Sequence, residues 1–320
     1  MREIAVCVGF MNDKYRRTVS EAAEKLGFSV SCYDSEAALA EEIGRHEVIF
    51  GHPSPELLRK AESLRWLCSD FAGVEKYLPE EVWPHPGCLL SNASGAYGPT
   101  ISEHIIMVLL MLLRRMPEYQ AALSRREWPY FAPIRSITGS HAVLLGTGDI
   151  GSNTARRLKA LGARVTGVCR GGKAEEPAFD RVLPLAELES VLPEADALIL
   201  ALPATAETAG VLSGERLALL PETAFVINVG RGSAIDQDAL VEALQSGRLA
   251  GAALDVMTPE PLPEDHPLWS CPNTIITPHV SGNMSLGLTC DLDVEMFCRD
   301  LARYAKGEMP EHLVDRVRGY

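Results

Sequence analysis

The chain has 320 residues, 47% hydrophobic and 23% charged, which is enough for two domains with their own cores and too apolar for a disordered protein. Its 43 acidic and 30 basic residues give a formal net charge of -13, which disfavours binding to nucleic acid or to anionic membrane surfaces. Eight cysteines contain no C-x-x-C pair and no metal-finger spacing, so we expect reduced thiols and no metal site.

The N-terminal residues and the longest apolar run predict a cytoplasmic protein. The chain begins Met1-Arg2-Glu3 and continues directly into an apolar run, without the basic region and cleavage site of a signal peptide. The longest apolar run, residues 105–113, would reach only about 14 Å as a helix, against roughly 30 Å of bilayer hydrocarbon. We therefore expect no membrane partner.

The first third of the chain alternates short apolar runs with helical patterns, which predicts parallel strands joined by crossover helices. The predicted helices are residues 15–26 and 37–43, and the predicted strands are residues 4–8, 28–33, 48–50, 64–68 and 88–91. A last apolar helix, residues 284–304, could return to this block. The expected small substrate-binding domain is therefore flavodoxin-like and comprises residues 1–93 plus 287–320.

A second block, residues 94–286, is predicted to be a dinucleotide-binding domain. A long helix at residues 99–115 is followed, after a passage rich in proline and aromatic residues, by strands that alternate with helices in a doubly wound α/β (Rossmann) pattern. The six predicted strands are residues 142–145, 165–168, 197–202, 224–229, 252–256 and 274–277.

The passage between the long helix and the first of these strands contains Trp128, Pro129, Tyr130, Phe131 and Pro133. Such a density of large apolar groups indicates either a surface covered by another subunit or packing against the chain's own helices. The first alternative leads us to expect a homodimer.

A glycine turn, Gly146-Thr147-Gly148-Asp149-Ile150-Gly151, follows the first strand of the second block and opens a helix at residues 152–161. In this arrangement glycines allow backbone amides at a helix N-terminus to approach a pyrophosphate. The flanking strand, helix and next strand favour dinucleotide binding over a turn that serves only close packing.

The second strand of the block ends in Cys169-Arg170-Gly171-Gly172-Lys173, where an NAD-preferring turn would usually carry an acidic residue. Without that carboxylate nothing repels a 2′-phosphate, and Arg170 could hold it with a charge-assisted fork. We predict that NADP(H) is preferred over NAD(H), unless Arg170 stacks on adenine or faces solvent.

Three polar residues further along the chain each follow an apolar run that predicts a strand: Arg231, Glu260 and His279. A cation, a carboxylate and an imidazole are the groups needed to reduce a ketone beside a carboxylate. Taken singly, Arg231 could be a salt-bridge residue, Glu260 a solvated loop acid and His279 a hydrogen-bonded core histidine.

In combination with the glycine turn, these residues resemble the signature of the D-isomer-specific 2-hydroxyacid dehydrogenases. The resemblance covers nearly the whole chain and includes Asn92-Ala93-Ser94-Gly95-Ala96-Tyr97-Gly98 with Ser102-Glu103-His104, Ala201-Leu202-Pro203 with Thr208, Asp265-His266-Pro267-Leu268-Trp269, and the segment from Val314-Asp315 to Gly319-Tyr320. Asp149-Ile150 and Arg170 make the NADPH-dependent glyoxylate and hydroxypyruvate reductases the most similar members.

The resemblance implies a role for each site residue. Arg231 binds the substrate carboxylate and carbonyl, His279 protonates the new alkoxide, and Glu260 holds His279, because a carboxylate favours the charged imidazole. Backbone amides of Phe71-Ala72-Gly73-Val74, chiefly of Ala72 and Gly73, take the substrate carboxylate. The implied cofactor contacts are Gly146, Gly148, Asp149, Ile150, Gly151, Cys169, Arg170, Leu202, Pro203, Thr208, Val229, Gly230, Arg231, Asp255, His279, Ser281 and Gly282.

The sequence therefore predicts an NADPH-dependent oxidoreductase that makes D-2-hydroxy acids from small 2-oxo acids such as glyoxylate or hydroxypyruvate. The alternatives are an NAD-dependent D-2-hydroxyacid dehydrogenase with another substrate range, and a nucleotide-sensing binding protein similar to a co-repressor. Glu260 argues against formate oxidation, since the family members with that activity carry an amide at this position.

Overall fold

The computed structural model describes residues 2–319. Met1 and Tyr320, the two ends of the predicted substrate-binding domain, lie outside the described residues. The described chain forms two compact units, residues 2–97 with 283–319, and residues 98–282, whereas the sequence analysis put the boundaries after residues 93 and 286. No helix within residues 2–319 has both the length and the apolar composition required to cross a bilayer.

The strands of the described chain are numbered in chain order. They are β1 Arg2–Cys7, β2 Phe28–Cys32, β3 Val48–Gly51, β4 Trp66–Cys68, β5 Leu89–Ser91, β6 His141–Leu145, β7 Arg164–Cys169, β8 Arg181–Pro184, β9 Ala197–Leu200, β10 Phe225–Asn228, β11 Gly251–Leu254 and β12 Thr274–Ile276.

The α-helices are α1 Asp13–Lys25, α2 Glu36–Ala40, α3 Pro55–Leu58, α4 Gly98–Leu113, α5 Met116–Ser124, α6 Asp149–Ala160, α7 Gly214–Leu217, α8 Gln237–Gln245 and α9 Gly287–Ala305. Short 3₁₀ helices span Ile43–Arg45, Glu75–Tyr77, Glu80–Val82, Leu185–Ser190, Leu192–Glu194, Gly232–Ala234 and Pro267–Ser270.

The sheet of the first unit is five-stranded and parallel, in the order β2-β1-β3-β4-β5. This is the flavodoxin-like order, and it confirms the predicted fold class of this part of the chain. Both faces of the sheet are covered by buried clusters, and successive side chains of each strand point to opposite faces. The two layers of buried residues are therefore drawn alternately from the same strands.

One of these layers holds the C-terminal helix against the sheet of the first unit. Phe297 of α9 stacks on Phe50 of β3 with ring centroids 4.3 Å apart, and on Trp66 of β4 at 5.6 Å. Val294 and Leu301 lie one turn to either side on the same helix face and are buried in the same cluster. The first unit is thus built from both ends of the chain.

The sheet of the second unit is seven-stranded and parallel, in the order β12-β11-β10-β9-β6-β7-β8. Counted from β6, this is the doubly wound dinucleotide-binding order with one further strand at the β12 edge, and it confirms the predicted Rossmann fold. The central strands are buried on both faces, which explains the continuous apolar runs in the sequence.

Two elements of the second unit were not predicted. Strand β8 lies at the sheet edge and pairs only with β7 among the described strands, so it tolerates Arg181 and Pro184 as its own first and last residues, which concealed it in the sequence. Helix α5 carries Pro117 in its first turn, where proline is compatible with a helix although it usually indicates a break. Because β8 was not predicted, the predicted number of strands in this unit, six, was one too few.

Candidate active site

The glycine turn connects β6 to α6, and the surrounding backbone leaves no room for a side chain at two of its glycines. Gly146 has φ +105°, and a Cβ there would lie 2.5 Å from the Ala201 carbonyl oxygen, while a Cβ on Gly151 would collide with the Gly146 carbonyl. Gly148, by contrast, faces open space and caps α6 without a side-chain hydrogen bond. A helix N-terminus that has no side-chain cap and begins at a glycine with open space around it fits a dinucleotide pyrophosphate.

Asp149, predicted to contact the cofactor, has its carboxylate engaged elsewhere. The carboxylate accepts a hydrogen bond of 2.7 Å from the Gly98 amide at the start of α4 and one of 2.9 Å from the Asn153 side chain. A negative charge at the start of α6 and α4 is favourable to both helices. Contact between Asp149 and a pyrophosphate would therefore use its backbone amide.

The end of β7 brings an unexpected carboxylate to Arg170. The Arg170 Nε donates a hydrogen bond of 2.7 Å to Glu207, which lies in the loop after β9. The neighbouring Cys169 is half-buried, and its thiol donates to the Lys173 carbonyl at 3.3 Å. Glu207 could not be predicted as a partner of Arg170, because nothing in its local sequence relates it to a residue 37 positions earlier.

The loops after β9 and β10 approach each other closely. A Cβ on Gly230 would lie 2.7 Å from both the nitrogen and the oxygen of Leu202, so only glycine fits there. Thr208 holds the first loop, since its hydroxyl donates to the Pro203 carbonyl at 2.6 Å and accepts from the Thr205 amide at 2.9 Å. These predicted cofactor residues thus form one packed edge at the ends of adjacent strands.

Asn228, the last residue of β10, shapes the turn that carries Arg231. Its side chain accepts from the Gly230 amide at 3.1 Å and donates to the Arg231 carbonyl at 2.9 Å. The half-buried Arg231 side chain donates to the Gly230 carbonyl at 2.8 Å. No role was predicted for Asn228, although an amide at the end of an apolar strand is a usable signal, and the side chain is buried.

His279 and Glu260 are in direct contact. The His279 Nδ1 lies 2.8 Å from Glu260 Oε2, and Glu260 Oε1 accepts from the Met257 amide at 3.0 Å. An ionised carboxylate can only accept, so the Nδ1 proton faces Glu260 and Nε2 is the ring nitrogen that can exchange a proton with a ligand. The imidazole is 51% exposed, as a group that must reach a substrate requires.

Asp255 fastens the loop that carries His279. Its buried carboxylate accepts from the Thr277 hydroxyl at 2.5 Å and from the amides of Val280 and Ser281 at 2.9 and 3.0 Å. Burial alone would raise the pKa of Asp255, but hydrogen bonds from Ser281, Thr277 and Val280 outweigh it and hold the pKa below its ordinary value. The Asp255 carbonyl also accepts from the His279 amide at 2.9 Å.

Strand order explains why these residues gather. Strands β10, β11 and β12 are parallel neighbours, so the segments that follow them emerge at one sheet edge with Arg231, Asp255, Glu260 and His279. This is the edge at which open α/β sheets bind ligands. The other predicted cofactor residues, from the glycine turn to Ser281 and Gly282, also follow the carboxyl ends of strands of this sheet.

The predicted carboxylate-binding loop lies in the first unit, directly after β4. The Asn92 side chain donates to the Ala72 carbonyl at 2.8 Å, and the Phe71 amide donates to the Ser69 hydroxyl at 3.2 Å. These two hydrogen bonds hold the loop in place. Ala72 and Gly73 are half-buried, so part of their surface remains accessible.

Comparison with known proteins gives the family. A model of the NAD-binding domain of D-isomer specific 2-hydroxyacid dehydrogenases matches residues 106–281, more than half of the chain. The chain belongs to this family. It is an NAD(P)-dependent oxidoreductase, and the predicted family and enzyme class are confirmed.

Three proteins similar to this dehydrogenase cover most of its length, and two of them have names that describe a reaction. Glyoxylate/hydroxypyruvate reductase A of Klebsiella pneumoniae is 31% identical over 84% of this chain and 86% of the relative. A family protein from Aeromonas salmonicida is 33% identical, with a TM-score of 0.86 over 99% of this chain and 100% of that one. The NADPH-dependent glyoxylate/hydroxypyruvate reductase from Sinorhizobium meliloti, solved with NADP and sulfate, is 26% identical, with a TM-score of 0.83 and complete coverage of both chains.

Proposed function

We propose that this dehydrogenase reduces small 2-oxo acids, such as glyoxylate or hydroxypyruvate, to D-2-hydroxy acids with NADPH. The observation that carries the proposal is the 2.8 Å contact between His279 and Glu260, on the sheet edge that also carries Arg231. An imidazole paired with a carboxylate serves as a proton donor, and a nearby guanidinium binds a carboxylate in a fixed orientation. The alternative of a binding protein similar to a co-repressor is not favoured by this set.

Each residue contributes a separate step. Arg231 binds the carboxylate of the 2-oxo acid and polarises the neighbouring carbonyl. When bound, the reduced nicotinamide supplies the hydride that reaches C2. His279 gives a proton to the carbonyl oxygen, and Glu260 stabilises the charged imidazole before that transfer.

The preference for NADPH rests on the cations after β7. Arg170 and Lys173 are exposed there, in a protein whose net charge of -13 otherwise repels a 2′-phosphate. The segment 169–173 contains no carboxylate that would bind a ribose 2′-hydroxyl. The Sinorhizobium meliloti relative, which is NADPH-dependent and was solved with NADP, supports the same preference.

We further propose that the enzyme is a cytoplasmic homodimer. Large apolar side chains are exposed along α4, α5 and the segment that follows them, here called the arm patch: Met107, Leu110, Met116, Leu123, Trp128, Tyr130 and Ile134. Apolar surface of this extent supports a protein partner, and a second copy is the simplest one. The eight cysteines form no disulfide within the described residues, which agrees with a reducing compartment.

The proposal is tested by measuring the loss of reduced-nicotinamide absorbance with a panel of 2-oxo acids and both cofactors. We expect turnover of glyoxylate or hydroxypyruvate, with a higher kcat/KM for NADPH than for NADH. His279→Gln should lower kcat by about 10²- to 10⁴-fold while NADPH affinity stays nearly unchanged. Activity of this variant within a few-fold of the wild type would refute the assignment of His279.

A further inference from the structure

The ion pair between Arg170 and Glu207 connects two loops that flank the glycine turn. In the seven-stranded sheet β6 lies between β7 and β9, and the glycine turn follows β6. Arg170 follows β7 and Glu207 lies in the loop after β9, so the pair joins the two loops that flank the glycine turn. Two strand spacings separate the ends of β7 and β9 by roughly 10 Å, which only long side chains can bridge.

The pair is exposed and therefore easily exchanged. The Arg170 and Glu207 side chains are 45% and 57% exposed, with the Nε to Oε2 distance at 2.7 Å. Exposed ion pairs contribute little to stability, because water and salt screen them. A stronger anion that arrived beside Arg170 could therefore take the place of the Glu207 carboxylate.

We propose that Glu207 is a specificity-determining residue, which competes for Arg170 and so sets how strongly the enzyme distinguishes NADPH from NADH. This inference rests on the proposed binding of a dinucleotide at the glycine turn. A 2′-phosphate carries nearly two negative charges and three acceptor oxygens, so it replaces Glu207 as the partner of Arg170. A 2′-hydroxyl cannot do so, and with NADH the ion pair stays closed.

Removing the Glu207 charge releases Arg170 for the 2′-phosphate, so affinity for ligands with this group should rise, whereas affinity for ligands without it should not. Because an exposed ion pair has a small coupling energy, the expected gain is about two- to five-fold. It should shrink as salt is added, since salt screens the competition.

The test measures binding alone, by calorimetry on the full chain without a 2-oxo acid. The ligands are 2′,5′-ADP and 5′-AMP, together with NADPH and NADH, and the variants are Glu207→Gln, Arg170→Gln and the double variant. Glu189→Gln is the matched control, because Glu189 forms a similar exposed ion pair with Arg216 at 3.2 Å in the same unit.

We expect Glu207→Gln to bind 2′,5′-ADP and NADPH about two- to five-fold more tightly, with 5′-AMP and NADH unchanged relative to the Glu189→Gln control. In the Arg170→Gln background the gain should vanish, because the guanidinium for which Glu207 and the 2′-phosphate compete has been removed. A gain that persists there, or an equal change for all four ligands, would overturn the role of Glu207 alone. Failure of all four ligands to bind the wild type would overturn the proposed dinucleotide site as well.

Discussion

His279 has a backbone conformation that few side chains adopt. Its φ is +54°, in the left-handed region that favours glycine, and it persists because bonds on both sides hold it. The His279 amide donates to the Asp255 carbonyl, and the following Val280 amide donates to the Asp255 carboxylate. Conformations of this kind often occur at functional residues, where the surroundings impose them.

Glu260→Gln tests whether the Glu260 carboxylate assists His279. Glutamine can accept the hydrogen bond from Nδ1 but provides no negative charge opposite the imidazole. We expect kcat for 2-oxo acid reduction to fall roughly ten-fold or more, while NADPH affinity measured by calorimetry stays nearly unchanged. Glu264→Gln, an equal charge loss four residues further on, should leave kcat unchanged. A kcat of Glu260→Gln close to that of the wild type would show that Glu260 does not act on His279.

At the scale of elements, the loop after β12 depends on a single buried carboxylate. Asp255→Asn replaces one acceptor oxygen with a donor, so one of the bonds from Thr277, Val280 or Ser281 must break. We expect lower kcat and faster hydrogen exchange of the Val280 and Ser281 amides, measured by NMR or mass spectrometry. Thr277→Val, which removes one bond only, should have a smaller effect. Unchanged exchange in Asp255→Asn would contradict this account of the loop.

Helix α9 carries a buried carboxyl group that weakens the first unit at neutral pH. Asp293 is 1% exposed, and its Oδ2 has no hydrogen-bond partner among residues 2–319. Burial, with a smaller contribution from the negative charge of Asp70, raises the pKa of Asp293 well above its ordinary value. The folded state therefore holds a proton that the unfolded chain releases. Its contribution to stability is fully present below about pH 4 and is lost as pH rises toward the raised pKa.

Asp293→Asn removes this ionisation and keeps the shape of the side chain. We expect the Tm to rise by roughly 2–4 °C at pH 7.5 and by much less near pH 4, as measured by calorimetry or circular dichroism. Asp291→Asn on the same helix is the control. It should lower the Tm at pH 7.5, because Asp291 accepts hydrogen bonds from Lys14 and Tyr15. Equal shifts at both pH values would show that Asp293 does not ionise on unfolding.

At the scale of the whole molecule, the arm patch is the surface that we propose a second copy of the chain covers. Trp128 is 101% exposed and Tyr130 86%, although aromatic side chains of this size are typical of interface centres. Trp128→Ser with Tyr130→Ser should convert a dimer to a monomer, measured by light scattering after gel filtration. Trp269→Ser, at an exposed tryptophan outside the patch, should leave the mass unchanged. A wild-type monomer at micromolar concentration would contradict the proposed dimer.

Much of this protein could be determined from the order of its residues. Apolar runs of three to six residues between helical patterns indicated parallel sheets, since buried parallel strands need apolar side chains on both faces. The glycine turn predicted a nicotinamide dinucleotide cofactor, and Arg231, Glu260 and His279 stay the predicted catalytic groups, because their chemistry depends on residue type. Strand β8 and helix α5 were missed, since an edge strand and a first-turn proline lack the usual local signal.

Only the tertiary structure decided which side chains meet. The contacts of Arg170 with Glu207, of Asp149 with Gly98 and of Asp255 with the loop after β12 join residues 22 to 51 positions apart. Strand order and loop path set such distances, and neither is written in any local stretch of the chain. Residue type determines what each group can do, whereas the partner each one has follows from how the sheet brings distant loops to the same edge.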